Sequence, residues 1–341
     1  MRPFLTTLTV LAAATSIHAL AREDYLNATE NFIEQYLSPN NEKVADSINS
    51  TLFAENVTGT VDILRTSSSL ELTTSPLDYS FDGRELATEY LFGFFVGQAK
   101  DATDPSPYGI PVSYKYSALM IQEPYVQASV KFGFYYPVLN TTVPVQIDIW
   151  FLFNDNLEVQ QYDLVLRRAA WAFEDLAPYL TPFMAARLSL PQNTSHPTIL
   201  RSYFTQKICS TALSYCNGTN QQYASFEDCE EQLGGKDLGE WFRAGDDNLV
   251  CRNLHVPMVP LRPQVHCEHI GPGGGDMCIP RNYTQVVLDE HFPAGFLAQQ
   301  PHQVSGDASS SPSSPSPPTD DDEEDGDHDD EWKRQEEEEE E

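Results

Sequence analysis

Three histidines, His255, His266 and His269, stand within fifteen residues of one another in the stretch CRNLHVPMVPLRPQVHCEHIGPGGGDMC. Neutral imidazole ligates zinc and copper well, so such a cluster is a candidate metal site. The spacing matches no established metal motif, and His255 would have to fold back to reach the other two. Structural or surface histidines are the competing reading. Six cysteines accompany them: Cys209, Cys216, Cys229, Cys251, Cys267 and Cys278. An even, clustered set is the signature of a disulfide framework formed in an oxidising compartment. Paired sulfur is not a thiolate, so zinc or copper here would rest on the histidines, and no other cofactor is expected. Gly273-Gly274-Gly275 lacks the Lys-Ser/Thr of a phosphate loop, and the chain has no Gly-x-Ser-x-Gly elbow.

These residues need elements to hold them. Asn217-Gly218, Gly234-Gly235 and Gly271 to Gly275 break the cysteine-bearing segment into short pieces. Such a unit has too little core to stand alone, and three cross-links would supply about 2–4 kcal/mol each. Fifteen pairings are open and the spacing does not choose among them.

The preceding half is periodic. Tyr25, Phe32, Ile33, Tyr36 and Leu37 recur at helical spacing over Glu23 to Leu37, and Val44, Ile48 and Leu52 indicate a second short helix. Phe53 to Leu64 reads as a strand and Ser67 to Ser80 as a loop. A helix begins at Asp82, with Glu85 completing a capping-box-like pattern and Leu86, Tyr90, Leu91 and Phe94 as its apolar stripe. Four strands follow, Val112–Gln122, Tyr125–Tyr136 and the two arms of Val143 to Arg168, turning at Asn154-Asp155-Asn156. Alternation puts Val126, Ala128, Val130, Phe132, Phe134 and Tyr136 on one face, and likewise Val143, Val145, Ile147, Ile149, Phe151 and Phe153. Ala169 to Leu190 is helical, with Pro178 and Pro182 expected to interrupt it. Helices followed by consecutive hairpins give an α+β class, with helices packed on an antiparallel sheet.

The leading helix around Phe32-Ile33-Tyr36, the helix start FDGRELATEY and the closing FNDNLEVQQYDLVLRR resemble the nuclear-transport-factor-2-like cone fold, which includes SnoaL-type cyclases and ketosteroid isomerases. The resemblance spans about residues 23–190. It implies a curved sheet wrapped with helices around an apolar pocket, and in enzymes of that family a carboxylate base with a polarising Tyr, Asp or His. Carried onto this chain, Asp163 is the candidate base and Tyr162 its companion. Trp150, Asp148, Phe134 and Tyr90 are candidate pocket residues, and Asp163 is expected to point inward with Val159 and Val165. The chain departs from that pattern in having no histidine between Arg22 and Leu190.

The formal net charge is −31, but Asp320 to Glu341 holds sixteen acidic and two basic residues of it. No basic patch exists to attract phosphate backbones, so nucleic-acid binding is excluded. Arg2, the apolar run Phe4 to Ala14 and Ala19-Leu20-Ala21 have the form of a signal peptide, too short to span a membrane. Seven Asn-x-Ser/Thr sequons, at Asn27, Asn49, Asn56, Asn140, Asn193, Asn217 and Asn282, agree with export. The expected organisation is a signal peptide (1–21), a cone-fold domain (22–190), a disulfide domain (191–300) and a disordered Ser/Pro-rich and acidic tail (301–341). The expected function is a secreted glycoprotein that binds a small apolar ligand or a protein. A cone-fold isomerase, dehydratase or cyclase based on Asp163 is the second reading, and a metal-binding protein the third.

Overall fold

The computed structural model describes residues 20–62, 83–96, 101–191 and 193–288. The expected leader, apart from its last residues, the Ser67–Ser80 loop, the Asp82 cap and the tail from 301 lie outside them. All described residues belong to one compact unit ending at Ala298.

The chain opens with α1 (Arg22–Tyr36) and α2 (Asn40–Ser47), then β1 (Phe53–Val61). α3 (Arg84–Thr88) starts after Gly83, at φ +98°, and runs on as a π turn over Glu89–Gly93. Four long strands follow: β2 (Ile110–Gln122), β3 (Tyr125–Tyr136), β4 (Thr141–Phe153) and β5 (Val159–Arg167). The sheet order is β1-β5-β4-β3-β2, antiparallel throughout β2 to β5 as consecutive hairpins require. β1 adds to β5 in parallel, a pairing that the local pattern did not announce. Two helices and a strand, a further helix, and a four-strand meander make the cone fold of the resemblance: a curved five-stranded sheet with α1 and α3 on its inner face.

Alternation decides which residues fill the interior. All six inward residues of β3, from Val126 to Tyr136, are buried, as are Ile147, Ile149, Phe151 and Phe153 of β4. Phe32 of α1 meets Phe53, Phe92 and Phe151 edge-on, with centroids 5.5, 5.4 and 4.8 Å away. Such aromatic contacts add about 0.5–1.5 kcal/mol each beyond the area they bury.

The turn between β4 and β5 shows the expected side-chain-to-backbone bonding but puts the positive φ elsewhere. Asn154 Oδ1 accepts from the backbone N–H groups of Asn156 and Glu158, but the residue at positive φ is Leu157, at +59°. The ladder also slips here. Leu152 pairs with Gln161 while Phe153 pairs with Val159, so Gln160 is an extra residue on β5. A bulge of this kind reverses the alternation beyond it.

α4 (Ala169–Leu188) is continuous through Pro178 and Pro182, where an interruption was expected. Its buried face, with Leu176, Leu180, Met184 and Ala185, is long enough to hold it against the cost of two prolines. α5 (His196–Tyr215), α6 (Phe226–Gly234), α7 (Leu249–His255), the short α8 (Pro263–His266) and α9 (Tyr283–Leu288) make up the rest. Three disulfides tie them, Cys209–Cys229, Cys216–Cys267 and Cys251–Cys278, and no described cysteine is free. Arg252 on α7 is fully buried among its partners. It donates to the carbonyls of Asn248, Gly271 and Pro272 and to Asp247, so one guanidinium ties α7 to the loop after α8. Among the described residues no helix is long and apolar enough to cross a membrane.

Candidate functional site

The cone encloses a cavity of about 110 Å³. Its walls come from every layer. Phe32, Ile33 and Tyr36 of α1 face Phe132, Phe134 and Tyr136 of β3 and Ile147 and Ile149 of β4. Tyr90, Leu91, Phe94 and Phe95 close one side, and Ala172 and Phe173 of α4 another. The last part of the wall comes from beyond residue 190: Trp241, Ala244 and Leu254. Trp241 stacks on Phe173 with centroids 4.4 Å apart, which locks this late segment onto the cone. The disulfide-tied segment therefore shares the cavity with the sheet.

Among the described residues no carboxylate, histidine or lysine lines this cavity. Its polar groups are phenols. Tyr136 donates to the Pro107 carbonyl at 3.1 Å, and Tyr108 accepts from Asn253 Nδ2 at 2.9 Å. Burial pushes the Tyr36, Tyr108 and Tyr136 hydroxyls well above the ordinary phenol range. They stay neutral, and a neutral phenol donates a hydrogen bond but does not take a proton from carbon.

The structure separates the residues named from the sequence. Phe134 and Tyr90 line the cavity. Trp150, Asp148 and Asp163 do not. The inward residues of β5 beyond the bulge are Tyr162, Leu164 and Leu166, so Asp163 falls on the outer face, paired across the sheet with Trp150 and Thr60. The expectation that it points inward with Val159 fails because Gln160 inverts the alternation between them. Asp148 shares that outer face. Burial alone would raise its carboxyl, but hydrogen bonds from Ser129, Arg167 and Gln146 outweigh it and hold the pKa below the ordinary value. Tyr162 is buried in the core against Phe53 and the backbone of Gly59, where an added Cβ would lie 1.9 Å from the ring.

The three histidines do converge. His255 ends α7, His266 ends α8 and His269 lies in the turn that follows. Each offers a ligand atom within 4.8 Å of the others, and all three are buried. His255 does fold back, with its ring centroid 4.6 Å from that of His269 and 6.1 Å from that of His266. Burial first, then the neighbouring histidines, pushes His255 and His266 well below the ordinary imidazole pKa, so both are neutral.

Their partners come from far away in sequence. His266 Nε2 lies 3.1 Å from Glu89 Oε2, His269 Nε2 lies 3.1 Å from Asp276 Oδ1, and His255 Nδ1 lies 3.4 Å from the Tyr90 hydroxyl. Glu89 is fully buried, and burial raises its pKa to about 7 although Arg262, at 2.7 Å, pulls it down. His266 Nδ1 and His269 Nδ1 are buried without a hydrogen-bond partner. The disulfide Cys251–Cys278 lies against His255, so its sulfurs add no thiolate. Tyr90 joins the two places: its ring lines the cavity and stands edge-on to His255 and His266, with centroids 5.6 and 5.8 Å away. The later segment thus places His255 and His266 behind Tyr90, though neither lines the cavity. Sequence reasoning found the cluster but missed Glu89 and Asp276, and it named Tyr90 only for the pocket.

Residues 30–164 match the BfoA N-terminal domain and residues 168–281 the BfoA family C-terminal domain. The two matches meet at the end of β5. The bifonsecin B biosynthesis cluster protein A of Aspergillus brasiliensis is 34% identical over 295 residues, 83% of this chain and 91% of that protein. The aurasperone B biosynthesis cluster protein A of Aspergillus niger is 33% identical over 274 residues, 79% of this chain and 82% of that protein. Among solved structures, a putative SnoaL-like polyketide cyclase from a Jannaschia species matches 43% of this chain and 88% of its own, at 9% identity and a TM-score of 0.29. At that score the likeness adds no weight to the fold, which rests on the strand order above.

Proposed function

The chain belongs to the BfoA family, and on that premise we propose that it is an exported glycoprotein that holds a small, ring-bearing apolar metabolite inside the cone. The observation that carries this reading is the cavity itself, walled by aromatic and aliphatic side chains with neutral phenols as its polar groups. An apolar cavity of about 150 Å³ suffices for benzene, so about 110 Å³ takes the ring of a compact molecule with little adjustment. The names of the relatives, proteins of the bifonsecin B and aurasperone B biosynthesis clusters, support a biosynthetic product or intermediate as the ligand. Binding is favoured over proton-transfer catalysis because the candidate base Asp163 stands on the other face of the sheet.

Export is supported by two independent features. Three disulfides need an oxidising compartment. All seven sequon asparagines are exposed, whereas Asn41, Asn248 and Asn253, which are not in sequons, are buried. The acidic tail adds solubility.

Trp241 in the cavity wall gives the test. Addition of p-cresol to the oxidised protein should change tryptophan fluorescence in a saturable way. Ala172→Phe, which fills the cavity from α4, should weaken that binding at least tenfold while the far-ultraviolet spectrum is retained. A linear, non-saturating response in the parent protein would remove the reading.

A further inference from the structure

We propose that His255, His266 and His269 form a binding site for one divalent transition-metal ion, zinc by preference, set in the cone wall behind Tyr90. The proposal does not depend on the identity of any ligand in the cavity.

The first support is how the imidazoles are held. In known histidine metal sites the ring nitrogen that does not bind the metal is donated to a carboxylate, a carbonyl or water, which fixes the tautomer and the ring plane. Here His266 and His269 each place Nε2 against a carboxylate, at 3.1 Å in both cases, and His255 places Nδ1 near the Tyr90 hydroxyl. With Nε2–H donated, the Nδ1 lone pairs of His266 and His269 point away from those carboxylates. Those are the two nitrogens buried without a partner. An unsatisfied buried polar atom costs about 1–3 kcal/mol, so two on neighbouring rings, with centroids 5.4 Å apart, call for an explanation. A cation supplies it for both at once.

The second support is distance. Three nitrogens about 2.1 Å from a tetrahedral zinc lie roughly 3.4 Å apart. One ring nitrogen of each histidine already lies within 4.8 Å of one on each of the other two, so rotation of the three rings closes the site. The cluster is fixed well enough for this. Gly275, at φ +59°, leaves room for His269, since a Cβ there would come within 2.9 Å of the ring. Cys251–Cys278 binds α7 to the segment carrying Asp276. Both flanking cysteines being oxidised, the donor set is three imidazoles, which suits zinc, copper or nickel over calcium or magnesium. Three protein ligands leave a fourth position for water or another oxygen donor, the pattern of an open rather than a closed zinc site.

The test uses the full, untagged, oxidised chain, stripped with a chelator and titrated with zinc and, separately, with cobalt(II). The expected results are one zinc bound per chain and visible absorption of four- or five-coordinate cobalt, both lost in His266→Gln/His269→Gln and kept in His196→Gln. Glu89→Gln, which keeps the shape but weakens the hold on His266, should bind zinc 10- to 100-fold more weakly. Should the double variant fail to fold, thermal unfolding of the parent decides: zinc should raise its Tm. No stoichiometric uptake by the parent, uptake undiminished in a folded double variant, or an unchanged Tm would each overturn the proposal.

Discussion

Burial, with the Asp62 carboxylate second, raises the Asp163 carboxyl above its ordinary pKa of 3.8. A raised folded pKa means that the folded state holds the proton longer than the unfolded chain. Stability is therefore greatest below the ordinary pKa and falls as pH rises through the window up to the folded value. Asp163→Asn removes that loss. Urea unfolding should find the variant at least as stable as the parent at pH 7, with the difference gone near pH 3, and p-cresol should bind both equally. A less stable variant at pH 7, or one that no longer binds, would restore a role for this carboxylate. Single residues were unevenly legible. His255, His266 and His269 were visible because they are close in sequence. Their partners Glu89 and Tyr90 were not, because the pairs span 177 and 165 positions and no local pattern encodes such a meeting.

At the scale of elements, hydrophobic alternation was enough to place β3 and β4 and to choose their inner faces. It failed on β5, where one extra residue changed the sides. Val159 and Val165 share a parity, which suggested that Asp163 faced the interior with them, but Gln160 is unpaired and the strand beyond it is inverted. A bulge leaves no mark in composition, so the sequence alone could not reveal it. Deleting Gln160 is expected to close the bulge and leave Val159, Tyr162, Leu164 and Leu166 all inward, so the deletion should still fold. The measurement is soluble yield and near-ultraviolet circular dichroism of the deletion. An insoluble or molten deletion would mean that Gln160 is not an extra residue and that the inward set of β5 depends on it. α4 taught the converse lesson: two prolines that propensity reads as breaks are carried by a helix with a well-buried face.

At the scale of the molecule, the cysteine-rich half does more than follow the cone. It completes the cavity through Trp241, Ala244 and Leu254 and brings the histidines to Tyr90. The even cysteine count foretold cross-links, but nothing in the spacing foretold that they would stabilise a wall of the cone. The bridges close separations of 20, 51 and 27 residues. Loop-closure entropy assigns them about 3–4 kcal/mol each, against a typical domain stability of 5–15 kcal/mol. Reduction should thus open the cavity wall, and p-cresol binding should disappear on adding a strong reductant and return on reoxidation. Binding that survives full reduction, verified by thiol counting, would show that the cone holds its ligand without this segment.

The central claim is that an apolar ring occupies the space between α1, the sheet and Trp241. Crystals of the oxidised protein soaked with bromobenzene test it most directly, by the anomalous signal of bromine. The account predicts one dominant bromine peak inside the cone, within contact of Tyr36, Phe132 and Trp241, and its absence in Ala172→Phe. Bromine only at surface sites, with ordered water filling the cone, would contradict it.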